Sequence, residues 1–203
     1  MAGLNRTDVG PFLARLVRLD RDALVRLRAA GPGAIELWGR VPWGVLVTRV
    51  VPGQPVPDTS VGAAALLNSL TQGDGELPSA RDRDWRWALP PGPGRVVETL
   101  PAEEVRRLGT AAAETLSAAR GRVGERMLRD ALLDHVPIVV TVEQNKIEIR
   151  QSLIQALLRM AFIGTDGRHV VTVRITATWV GLGAEHGSVW LQSRPSLAIN
   201  LAR

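Results

Sequence analysis

The chain of 203 residues has no cysteine, no tyrosine, three histidines and one lysine, Lys146, beside 24 arginines. Without cysteine there are no disulfides, thiolate nucleophiles or zinc–thiolate sites. The histidines, His135, His169 and His186, are far apart, with no i, i+4 pair and no H-E-x-x-H, so no metal site is expected. His135 follows Asp134 near a helix end, where a cation favours the helix dipole; capping accounts for it. Long apolar runs are also missing. No stretch of about 18 apolar residues occurs, so no membrane span is expected. The opening segment is interrupted by Arg15 and Arg18, so no signal peptide is expected either, and the chain reads as cytoplasmic.

The near-absence of lysine changes the meaning of a sequence isoelectric point near 11.2. Arginine keeps its proton at every relevant pH, so replacing lysine by arginine raises that value without adding charge at neutrality. The formal net charge is only +5. The bias toward Arg, Ala, Gly and Val fits a GC-rich genome. Charge is mildly basic at both ends and balanced in the middle, a faint footprint beside the clustered stripe of a dedicated nucleic-acid binder.

Catalytic signatures are few. No G-x-S-x-G elbow is present, and Ser152 and Ser188 lie in ordinary contexts. The pairs Asp82/Asp84 and Glu103/Glu104 sit among arginines or in a first helical turn, where solvated charge explains them. Gly181 to Gly187 resembles a phosphate loop, but its third glycine comes one residue late and a strand pattern follows. A glycine-rich loop is the expectation. No catalytic residue, cofactor or metal ligand is assigned.

What is present is periodicity. Val9, Phe12, Leu13, Leu16 and Val17 mark a helix over 8–19. Strand patterns follow near 23–29, 34–38 and 45–51, joined by short turns as an antiparallel meander. A helix over 60–70 comes next. Residues 71–94 hold Gly, Pro and charge without a period, as a long loop does. Arg95–Leu100 reads as a short strand. Helices are expected over about 101–120 and 123–135, strands over 138–142 and 147–149, and a helix over 151–162. A long strand at 170–180 and shorter ones at 188–192 and 197–201 close the chain.

Two regions share one order, helix then three strands, starting at residues 8 and 151. Within them Val25-Arg26-Leu27 parallels Val173-Arg174-Ile175, and each has a tryptophan in its second strand, Trp38 and Trp190. The fold class expected is α+β, with antiparallel β-meanders, about five packed helices and an internal α-β-β-β pseudo-repeat. The chain reads as one domain, 1–203, with half-units 1–70 and 95–203 joined by the loop 71–94.

The segment Arg81-Asp82-Arg83-Asp84-Trp85-Arg86-Trp87 places two indoles on one side of an extended chain. They suit pinning the loop to the core or anchoring a partner, since Trp and Arg are favoured at interfaces. Trp85, Arg86 and Trp87 are therefore the partner-interface candidates. Arg15, Arg26, Arg150 and Arg174, in the weakly basic ends, are the nucleic-acid candidates. A winged-helix reading of 123–192 meets a strand pattern where the middle helix should be. The leading expectation is a non-catalytic protein with a protein partner or a second copy of itself, a homodimer. Nucleic-acid binding is the alternative, and an enzyme using carboxylates and arginine the third.

Overall fold

A computed structural model describes residues 4, 6–54, 56–73, 76–118, 121, 124–165 and 169–193. The expected strand at 197–201 lies outside the described residues. In chain order the elements are α1 (Arg6–Leu19), β1 (Leu24–Ala29), β2 (Ala34–Arg40), β3 (Leu46–Pro52), β4 (Thr59–Gly62) and α2 (Ala63–Gln72). A 3-10 turn, Asp82–Asp84, interrupts the long loop. Then come β5 (Arg95–Pro101), α3 (Ala102–Ala118), α4 (Glu125–Asp134), β6 (Ile138–Val142), β7 (Asn145–Ile149), α5 (Gln151–Arg159), β8 (Val170–Ile175), β9 (Trp179–Ala184) and β10 (Gly187–Gln192). The class is α+β, as the periodicity indicated.

Eight strands form one antiparallel sheet in the order β4-β1-β2-β3-β10-β9-β8-β5. Strands β6 and β7 form a separate hairpin. The large sheet has a pseudo-two-fold centre where β3 meets β10 and Val47 faces Val189. Outward on one side, Val47 pairs with Gly39 and Gly39 with Val25. Outward on the other, Val189 pairs with Leu182 and Leu182 with Val173. Val25-Arg26-Leu27 and Val173-Arg174-Ile175 thus hold equivalent registers, and α1-β1-β2-β3 corresponds to α5-β8-β9-β10. The α4–β6–β7 segment between α3 and α5 has no counterpart among the described residues of the first half.

The tryptophan correspondence differs from the expectation. Trp38 lies on β2, the second strand of its unit, but Trp190 lies on β10, the third. The expected strand at 170–180 is two, β8 and β9, joined through a turn in which the Thr176 N–H donates to the Trp179 carbonyl at 2.9 Å. The glycines of β9, expected in a loop, are strand residues for a steric reason. A Cβ on Gly181 would stand 2.5 Å from the Trp190 indole, and one on Gly183 2.8 Å from Thr172 Oγ1. Glycine lowers strand propensity but lets a large neighbour lie flat on the backbone. The helix expected from residue 60 begins at Ala63, because Thr59–Gly62 is taken as β4 beside β1.

The helices cover one face. α1 packs on α2, α3 on α5, and α1 and α5 lie over the central strands. Val9, Phe12, Leu13 and Leu16 of α1 meet Leu153, Ile154 and Leu157 of α5 in one core, all essentially buried. Burial of each such side chain contributes roughly 1.5–3 kcal/mol. The rings of Phe12 and Phe162 stack at 6.3 Å across the two units. Trp43 Nε1 donates to the Ser152 carbonyl at 3.0 Å, a second tie.

The two edges of the sheet differ. At β4, the Asp82 carboxylate accepts from the Ser60 N–H at 2.5 Å, and the Arg81 N–H donates to the Ser60 carbonyl at 2.6 Å. Asp82 also accepts from Thr59 Oγ1 at 3.1 Å. The 81–84 turn therefore occupies that edge. At the other end β5 pairs, among the described residues, with β8 only, and most of its residues are exposed, Val96 at 46 %. A bulge separates Val96 from Glu98.

Candidate interaction surface

The sheet face away from the helices is not a simple polar face. Alternation places Leu24, Arg26 and Arg28 of β1, Glu36 and Trp38 of β2, and Leu46 and Thr48 of β3 on it. Leu24, Trp38, Leu46, Trp179 and Trp190 form a second apolar cluster there, closed by Trp85 from the long loop. Trp85 is 8 % exposed, and its Nε1 donates to the Trp87 carbonyl at 2.8 Å. The two rings meet edge to face at 5.1 Å and 86°. Trp87 is half-buried, and the Arg40 guanidinium lies 5.0 Å from its ring centroid. Burial at this contact lowers the Arg40 guanidinium from its ordinary value. Arg86, between the two indoles, is exposed. The loop leaves the face at Gly94, whose φ is +68°; a Cβ there would stand 2.9 Å from the Ile175 carbonyl.

The four arginines do not share a face. Arg26 and Arg174, in equivalent registers, lie on this outer face; Arg15 is on α1 and Arg150 precedes α5, in the helical layer. Each has an internal partner. Arg26 clasps Asp58 through Nε at 2.7 Å and Nη2 at 3.0 Å. That hydrogen-bonded pairing raises the Arg26 guanidinium and holds the Asp58 carboxyl below its usual range. Arg174 donates to Thr172 Oγ1 and to the Pro93 carbonyl, both at 3.2 Å. Arg15 donates to the Pro11 carbonyl at 3.1 Å, and Arg150 to Asp134 at 3.2 Å.

Glu185 Oε2 lies 3.0 Å from His169 Nε2 and 3.7 Å from His186 Nε2, while His135 closes α4 elsewhere. Among the described residues no three His, Cys, Asp or Glu are grouped to hold a metal. No helix among them is long and apolar enough to cross a membrane. What sequence reasoning missed was a groove on the outer face, beneath Pro90–Pro93, with a volume of about 660 Å³. The available signal was an indole at Trp38 on the side of β2 that a one-sided sheet would give to water.

Residues 3–88 match the family model described as domain of unknown function DUF8010, and residues 89–196 match domain of unknown function DUF8185. No curated protein matches the chain. Solved structures do match, at low identity. The DNA polymerase sliding clamp from Pseudomonas aeruginosa is 12 % identical, with a TM-score of 0.57 over 99 % of this chain and 67 % of that one. The DNA polymerase III beta chain from Streptococcus pneumoniae is 11 % identical, with a TM-score of 0.60 over 94 % and 63 %. The corresponding beta subunit from Thermotoga maritima is 8 % identical, at 0.59 over 94 % and 63 %. The chain spans about two thirds of the length of these clamps, and the likeness is one of fold.

Proposed function

The chain belongs to the family described as domain of unknown function DUF8185, and from that premise and its sliding-clamp-like fold we propose a non-catalytic cytoplasmic protein that acts through protein–protein interfaces and self-associates. It is one α+β domain of two half-units, 1–70 and 95–203, joined by 71–94. The observation that carries this reading is the inequality of the sheet edges. β4 is closed by the 81–84 turn, while β5 presents an exposed strand. An open edge is a template for pairing with another strand. Two β5 strands meeting antiparallel about a two-fold axis form an isologous, closed interface. The likeness to DNA polymerase sliding clamps supports action through contact over turnover.

Sedimentation of the chain at micromolar concentration tests the proposal. A concentration-dependent dimer is expected, and Val96→Lys, on the exposed edge, shifts it to monomer. A strict monomer at every concentration overturns self-association; a dimer untouched by Val96→Lys overturns the choice of edge.

A second reading, contact with nucleic acid, is favoured by the name of the matching structures, which are clamps of DNA polymerases. Binding to duplex and single-stranded DNA over a salt series tests it, since phosphate contacts weaken steeply with salt.

A further inference from the structure

The groove beneath Pro90–Pro93 crosses the sheet rather than running along it. Its lining takes Arg28 from β1, Trp38 from β2, Thr48 from β3, Trp190 from β10, Ala184 from β9 and Arg174 from β8. These are six adjacent strands. Neighbouring strands lie about 4.8 Å apart, so the groove is roughly 24 Å long. A volume of about 660 Å³ spread over that length is narrow. A compact metabolite would fill a fraction of it; an extended polypeptide of about seven residues, at about 3.3 Å each, would span it.

The chemistry of the lining fits a peptide. Trp38 is 4 % exposed, yet its Nε1–H has no hydrogen-bond acceptor among the described residues. Buried donors are normally satisfied, and an extended peptide offers a carbonyl at every residue. Arg28 and Arg174 mark the two ends. Arg28 faces Asp58 at 3.4 Å, and Arg174 uses Nε and Nη1 internally. Each guanidinium has five N–H donors, more than those contacts consume, and favours a carboxylate. Glu36 and Glu185 lie on the same lining and would face the phosphates of a nucleic-acid strand. The chain's own Pro93 carbonyl, held by Arg174, shows that a backbone carbonyl already docks at this end of the groove.

We infer that this groove takes an extended peptide from a protein partner, about seven residues long, acidic at both ends and apolar over Trp38 and Trp190. The inference rests on the reading of the protein as an interaction module but not on its dimerisation.

Random dodecapeptides displayed on phage are panned against the full chain. An enriched sequence is then labelled with fluorescein and titrated against the chain and its variants. Acidic–apolar–acidic sequences are expected. Arg28→Glu and Arg174→Glu each weaken binding tenfold or more. Trp38→Phe, which removes the unpaired donor together with one ring of the indole, weakens it several-fold while circular dichroism shows the chain still folded. Failure to enrich, or binding indifferent to all three substitutions, overturns the inference. So does preference for a thymidine 20-mer over the enriched peptide. The same titration on Val96→Lys separates the two proposals. A monomeric variant that keeps the peptide leaves both proposals standing, and a monomeric variant that binds no peptide, from a wild-type chain that is dimeric and also binds none, overturns this inference alone.

Discussion

Val47 and Val189 face each other at the centre of the eight-stranded sheet, and both are fully buried. They are the middle pair of the three that join β3 to β10, where the two cores become one. Val189→Ala is expected to cost about 2 kcal/mol, from roughly 0.8 kcal/mol per buried methylene and a cavity term. Urea unfolding followed by far-UV circular dichroism and by tryptophan fluorescence should give coincident transitions before and after the change. Separated transitions would mean that the halves melt independently.

Asp82 closes the β4 edge through the Ser60 N–H. Asp82→Ala should lower stability by roughly 1.5–3 kcal/mol, the value of a hydrogen bond to a charged group. It should also alter assembly. With both edges open, head-to-tail pairing has no closure, and polymers grow with concentration. Light scattering should show them, and the added Val96→Lys change should suppress them.

The Arg26–Asp58 pair sets a pH dependence. Hydrogen bonding from Arg26 lowers the folded pKa of Asp58 below its unfolded value. The stabilisation is therefore present above the unfolded carboxyl value, near pH 4, and is lost as pH falls through the lower folded value. The side chains are 31 % and 45 % exposed, so screening keeps the contribution under about 1 kcal/mol. Asp58→Asn should be slightly less stable at pH 7 and lose stability less steeply below pH 4. An unchanged acid slope in urea titrations would remove the pair from the account.

Trp85 and Trp87 are neighbours in a loop but not in burial. Trp85→Ala removes a nearly buried indole from the outer cluster and should cost about 3–5 kcal/mol. Trp87→Ala opens a half-buried position and should cost less than half as much. Equal losses by urea denaturation would contradict the pinning of the loop by Trp85.

The α-β-β-β order was legible because α1 and α5 carry apolar residues at helical spacing, and because Val25-Arg26-Leu27 and Val173-Arg174-Ile175 repeat one strand pattern. The division between β8 and β9 was not. Eight of the eleven residues of Val170–Val180 are β-branched, and nothing local distinguishes one long strand from two short ones around Thr176–Thr178. Gly181 and Gly183 read as loop because their partners, Trp190 and Thr172, are distant in sequence. The outer groove needed the most tertiary information. Its six strands come from both ends of the chain, and only the sheet order brings Arg28 and Arg174 onto one lining.

Hydrogen bonds between β3 and β10 hold the two halves together in the middle of the sheet, while their covalent connection runs through the exposed loop that carries Trp85. Peptide continuity and physical cohesion therefore lie in different places. Polypeptides separated within that loop and produced together should recognise each other and rebuild the sheet, so the protein is a natural substrate for fragment complementation.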